Sequence, residues 1–279
     1  VVVFAANPSA FSTSETNHGV EAAARKRRFL LNIVSLDESD MDSVKARVRM
    51  GLSIRPAGVI VYEYDRAGIA ALEYIPKDMP MVVVGGSFGD GEYQVINAER
   101  DGGRWMTMHL LDLGHRTVFH VGRPEGPTDN TRTNGWRDAL KERGVTAPDP
   151  IIVPDDDLEE SVKAGRTLGR RGDVTAIFAG NDETAIAVIR GLREVGRRVP
   201  ADVSVVGFDD RNFGAMWNPA LTSYTQNFLD MGERSFRMLF EQIQAKRAGD
   251  DAPPSQVEVV QGKPCLRASE RAYGDGEIA

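Results

Sequence analysis

The chain has 279 residues, 34 of them Lys or Arg and 41 Asp or Glu, for a formal net charge of −7. That length suffices for two ordinary domains with separate cores, and the acidic balance disfavours nucleic-acid phosphates as a partner. No apolar run is long enough to span a membrane. The lone Cys265 cannot form an internal disulfide, which fits a reducing cytoplasm. The four dispersed histidines lack metal-ligand spacing, so neither a metal nor a cofactor is expected. The sequence opens on VVVF without an initiator Met and reads as a fragment or a processed product.

In chain order, apolar runs at 1–5 (VVVFA), 29–35 (FLLNIVS), 57–62 (AGVIVY) and 81–84 (MVVV) predict buried strands. Between them, 15–28, 41–53 and 66–75 carry helical patterning. Gly19 and Gly68 weaken two of these helices, since an interior glycine costs a helix roughly 1 kcal/mol. A second series follows: helix 99–113, strand 117–122, helix 131–143, strand 150–153, helix 159–170, strand 175–179, helix 182–195 and strand 203–207. Strand 222–228, helix 229–247 and the strand-like VEVVQG (257–262) close the chain. Such alternation marks parallel βαβ units, hence an α/β fold. No Gly-, Pro- or Ser-rich linker divides the two series, which suggests two hinged lobes with a cleft between them.

The stretch 176–210 carries the most chemistry. It places Asn181 and Asp182 after one strand and Asp209 and Asp210 after the next, where open parallel sheets bind ligands. Helix capping competes for the first pair, and an Asx-turn or N-cap competes for the second. Asp209 is favoured as the ligand contact and Asp210 as the turn residue, while of Asn181 and Asp182 one can cap and the other face the cleft. Arg132 opens a helix against the positive end of its dipole, a local conflict typical of functional sites; a solvated surface arginine is the alternative. In the loop after the first strand, Asn7 and Ser9 could reach a ligand and Phe11 could stack on one. An ordinary solvent loop is the competing reading there.

The glycine-rich GGSFGDG (85–91) matches neither phosphate-loop pattern. No nucleophile elbow, HExxH or Cys–His arrangement is present, so there is no catalytic set and no enzyme is expected.

The blocks HLLDLGHRTVFHVGRP (109–124), TRTNGWRDALKERG (131–144), GNDETAIAVIRGLREVGRRVPADVSVVGFDD (180–210), PALTSYTQNFLDMGERSFRML (219–239) and LRASE (266–270) resemble the lactose/galactose-repressor family of bacterial transcription regulators. The resemblance is most specific from 109 to 228. It implies a type I periplasmic-binding-protein-like fold of two hinged Rossmann-like lobes, a carbohydrate-like effector in the interlobe cleft, and a homodimer. It also implies operator DNA contacted only through an N-terminal helix-turn-helix that this sequence lacks. The N-terminal lobe is then expected at 1–96 plus 228–254 and the C-terminal lobe at 97–227 plus 255–270, with 271–279 a disordered tail.

By position, the resemblance makes Arg132, Asn181 and Asp209 ligand contacts, which leaves Asp182 and Asp210 with turn and cap duties. It places Gln226 and Phe228 at the crossover between lobes and matches 7–11 to the first contact loop. Leu158 falls where a stacking aromatic is frequent, and Ala98 where an Asp is frequent. The expected function is the effector-binding and dimerisation domain of a cytoplasmic repressor. The alternatives are a periplasmic solute-binding protein of a transporter and, ranked last, an α/β enzyme.

Overall fold

A computed structural model describes all residues except 38, 88–92, 125, 127, 155–156 and 275–279. Its elements run β1 (Val2–Ala5), α1 (Phe11–Lys26), β2 (Asn32–Ser35), α2 (Met41–Ser53), β3 (Val59–Glu63), α3 (Arg66–Leu72), β4 (Met81–Gly85), β5 (Gln94–Asn97) and α4 (Glu99–Asp112). They continue with β6 (Phe119–Gly122), α5 (Arg132–Glu142), β7 (Ile151–Ile152), α6 (Leu158–Gly169), β8 (Ala176–Ala179), α7 (Asp182–Glu194) and β9 (Ser204–Val206). The last are α8 (Asn212–Met216), β10 (Ser223–Thr225), α9 (Phe228–Ala248), β11 (Val257–Val260) and β12 (Lys263–Cys265).

The chain divides into two units. Unit 1 comprises 1–97, 126–128 and 227–261; unit 2 comprises 98–125, 129–226 and 262–279. Unit 1 holds a six-stranded sheet ordered β11-β5-β4-β3-β1-β2, parallel throughout. Its central strands are continuous apolar runs because helices cover both faces: Val2, Val3, Phe4 and Val59 to Val61 are fully buried. α1 forms in spite of Gly19, and the reason lies in packing. A Cβ there would stand 2.1 Å from the Leu229 carbonyl oxygen of α9, so glycine lets the two helices approach.

Four expectations change in this unit and at the chain end. The run 29–35 was expected to be buried, but β2 forms only over Asn32–Ser35, at the sheet edge, with Ile33 exposed. β5 is an addition. Fully buried Gln94 interrupts its apolar run, but its Nε2 donates to the Gly85 and Ser87 carbonyls at 2.7 and 2.6 Å, so burial is tolerated. β11 pairs in parallel with β5, which moves 257–260 out of the C-terminal lobe to which 255–270 was assigned. Residues 271–274 are tied down: the Arg271 N–H donates to Ser204 Oγ at 3.1 Å and the Tyr273 N–H to the Leu113 carbonyl at 2.8 Å. The rest of the expected tail, and most of 85–91, lie outside the described residues.

Unit 2 holds a four-stranded parallel sheet ordered β7-β6-β8-β9 and an antiparallel pair, β10 with β12. Two apolar clusters flank the sheet, one including Ile177, Val188 and Leu192, the other Leu110, Trp136 and Phe178. Among the described residues, no helix is long and apolar enough to cross a membrane.

Candidate functional site

Ligands of parallel sheets bind outside the carboxyl ends of the strands. In unit 2 those ends lead into Gly180 after β8 and into Phe208 and Asp209 after β9. α5 starts beside them because Thr131 caps it, Oγ1 accepting from the Asn134 N–H at 3.1 Å. α5 then lies so close to α4 that a Cβ at Gly103 would stand 2.4 Å from the Arg132 carbonyl oxygen. Ala98 occupies the N-cap of α4 without a side-chain bond, and Asn130 Oδ1 takes the Arg100 N–H at 3.1 Å instead.

Behind Arg132, buried Trp136 donates its indole N–H to the Val118 carbonyl at 2.8 Å and stacks on His120. Burial pushes the His120 imidazole down to about 4, so it is neutral near pH 7. Its Nδ1 then donates to the Phe178 carbonyl at 2.8 Å, and Nε2 accepts from Thr133 Oγ1 at 2.9 Å. The start of α5 is therefore held from below by one fixed tautomer.

On this support the Arg132 guanidinium sits 4.2 Å above the Phe208 ring. Its Nη2 donates to Asp209 Oδ1 at 2.9 Å and Glu99 Oε1 at 3.2 Å, and its Nη1 donates to the Gly180 carbonyl. Gln226 Nε2 donates to the same Asp209 Oδ1 at 2.8 Å. Arg132 and Asp209 side chains are only 11% and 9% exposed. Burial works against the guanidinium charge, but Asp209 and Glu99 outweigh it and hold the group above its ordinary pKa.

Asp209 and Asp210 have φ of 91° and 50°, in the left-handed region. Such a backbone costs about 1–3 kcal/mol per residue and persists where the surroundings over-determine it. Here the Asp209 N–H donates to the Tyr224 carbonyl at 2.8 Å, and Asp210 Oδ1 accepts from Arg267 Nη2 at 2.6 Å.

Asn181 is the cap of α7: Oδ1 accepts from the Thr184 N–H at 2.8 Å, while its Nδ2 has no hydrogen bond among the described residues. The cap duty assigned to Asp182 therefore belongs to its neighbour. Asp182 is fully buried and pins the loop after β9, accepting from the Arg211 N–H and Ser223 Oγ, each at 2.6 Å. Burial, with the negative charges of Asp209 and Asp210, pushes its carboxyl up to about 7 against those two donors.

A folded pKa above the unfolded value means the folded chain holds the extra proton between about 4 and 7. Its stability contribution is thus lost as pH rises through that window. Urea titrations should show stability falling by up to about 1.4 kcal/mol from pH 5 to 6, with Asp182→Asn flattening that slope. An unchanged slope in the variant would remove Asp182 as the cause.

The other expected contacts are placed as follows. Leu158 opens α6, 49% exposed, and takes no part in the Arg132 network. In unit 1, Asn7 Oδ1 accepts from Ser9 Oγ at 2.9 Å and the Ala10 N–H at 3.1 Å, turning the chain into α1. Phe11 meets Phe228 edge-on at 5.8 Å, and Phe228 is buried in the unit 1 core. Arg132, Asp209 and Gln226 are thus bonded together in unit 2, whereas Asn7, Ser9, Phe11 and Phe228 belong to unit 1. Glu99, Phe208 and the Gly180 carbonyl complete the network; locally, Glu99 reads as an ordinary first-turn acid.

A family model described as a periplasmic binding protein-like domain matches residues 107–269. The HTH-type transcriptional repressor PurR of Yersinia enterocolitica is 30% identical over 253 residues, spanning 88% of this chain and 72% of that protein. PurR of Proteus mirabilis is 31% identical over 251 residues, with coverages of 88% and 72%. The transcriptional regulator CelR in its cellobiose complex superposes with a TM-score of 0.82 at 25% identity, covering 96% of this chain and 84% of that one. A dimeric Lac repressor superposes at 0.83 with 23% identity, covering 98% and 99%, a likeness of fold.

Proposed function

Because the chain belongs to the lactose/galactose-repressor family of transcription regulators, we propose that it senses a small polyhydroxylated effector, a sugar or sugar derivative, at the carboxyl rim of unit 2. Its family is one of repressors rather than enzymes, and the chain is the effector-binding domain of such a repressor. The observation that carries the ligand class is the Arg132 network. One guanidinium faces two carboxylates, Asp209 and Glu99, so the cluster holds a surplus of hydrogen-bond acceptors. That charge balance suits hydroxyl donors better than an anionic ligand. The Asn181 amide adds a donor on the same rim.

In this reading the effector shares or displaces the bonds among Arg132, Asp209 and Gln226, and hinge closure follows. Asn7, Ser9, Phe11, Leu158 and Phe228 remain proposed secondary contacts. Switching from 1:99 to 99:1 needs about 5.5 kcal/mol of differential affinity, within reach of several charge-assisted bonds. A homodimer acting in the cytoplasm on operator DNA, through a helix-turn-helix outside this sequence, completes the proposal. Exposed Met216 and Trp217 on unit 2 offer apolar surface for a dimer contact.

A thermal-shift screen over sugars, sugar acids, polyols and nucleosides tests the ligand class. A true effector at 100 times its Kd adds about 2.7 kcal/mol. We expect neutral sugars to stabilise the chain; stabilisation by sugar acids or nucleosides alone would reject the carbohydrate reading.

A further inference from the structure

α7 begins at the rim, where Asn181 caps it, and runs 13 residues to Glu194. At 1.5 Å per residue its far end lies roughly 20 Å from the rim. There unit 2 has a half-open surface pocket of ≈ 230 Å³. Ile189, Val199 and Pro219 give it apolar lining, and Arg193, Arg197 and Arg198 bring three guanidinium groups to it.

The arginines are unequally matched. Arg198 is paired with Asp202, Nε to Oδ2 at 3.0 Å. Arg197 shares Asp202 with Arg198, its Nη2 reaching the Asp202 carbonyl at 3.4 Å and its charge helping to hold the Asp202 carboxyl low, whereas Arg193 has no acidic partner among the described residues. Glu194, next in sequence to Arg193, is taken by Arg166 at 2.6 Å and Arg190 at 3.0 Å. Arg193 only reaches the Asn218 carbonyl at 3.4 Å. Arg197 Nη2 donates to the Val174 carbonyl at 2.9 Å, which fixes the side chain. Three guanidinium groups against the one Asp202 carboxylate leave two surplus positive charges beside apolar walls, in a chain of net charge −7, an arrangement that suits an anion.

We propose that this pocket is a second ligand site, separate from the effector rim, for a small molecule carrying a phosphate or carboxylate on an apolar body. Planar guanidinium groups match both oxyanions through paired N–H donors. The site sits where α7 meets the loop leading to β9, so occupancy bears on the two elements whose other ends carry Asn181 and Asp209.

The test is calorimetric titration of the whole chain with phenyl phosphate and with benzoate, which separate the two anion sources, and with phenol as the neutral control. At least one anion should bind saturably, with phenol at least about tenfold weaker. Arg193→Gln, at an exposed position, and Arg197→Lys, which keeps charge but loses the planar fork, should each weaken that anion about tenfold or more. Binding should persist in Asp209→Asn, which alters only the rim. No saturable anion binding, phenol binding equally well, unchanged affinity in both arginine variants, or loss of binding in Asp209→Asn would each overturn the proposal.

Discussion

Arg132→Ala should destabilise unit 2 by about 3–5 kcal/mol, because it leaves the carboxylates of Asp209 and Glu99 facing each other without their shared cation. The side chains of Arg132 and Asp209 are about nine-tenths buried, so solvent screens little of that penalty. In a unit of this size the melting temperature should fall by roughly 10 °C. The effect is chiefly that of stranding a buried charge rather than of losing one contact. The double variant Arg132→Ala/Asp209→Ala should therefore recover part of the loss. Scanning calorimetry reads both; a single variant within 1 °C of the parent would show that the network is not held as described. Under the proposed function the single variant also loses effector affinity.

Trp136→Ala should cost a similar amount, about 3–5 kcal/mol, for a different reason. It empties a fully buried site, removes the stacking surface under His120, and leaves the Val118 carbonyl without its indole donor. Because no charge is stranded, Trp136→Phe, which refills much of the volume though not the Val118 bond, should regain the larger share of the loss, whereas Arg132→Lys should regain a smaller one, lacking the planar fork that bridges Asp209 and Glu99. Urea denaturation of the four variants separates cavity from charge. Equal rescue by Phe and Lys would contradict the distinction.

What could be read from the sequence depended on how local the signal was. The strand–turn–helix rhythm of 176–210 is self-contained, so β8, α7 and β9 lie within a residue or two of the expected bounds. Partner choice is different. VEVV reads as a strand, yet nothing within four residues says that it pairs with 94–97 rather than with the second sheet. β2 looked buried because its apolar residues were counted without knowing that it ends the sheet.

The site was partly legible for the same reason. Arg132 stood out through its conflict with the helix dipole, and Asp209 through its place after a strand. That Glu99 balances the same guanidinium depends on the approach of α4 to α5, which no single segment encodes. Asn181 and Asp182 are adjacent, and both residue types cap helices well. Only tertiary placement shows that one caps while the other locks the β9 loop.

The most direct measurement is the affinity of Asp209→Asn for whichever sugar stabilises the parent chain, read by calorimetric titration. Asparagine tolerates the left-handed backbone at this position, so the change removes charge while the turn is kept. If the effector is bound at the Arg132–Asp209 rim, affinity falls at least about tenfold in a chain that remains folded. Parent-like affinity in a folded Asp209→Asn chain would place the effector elsewhere and contradict the account.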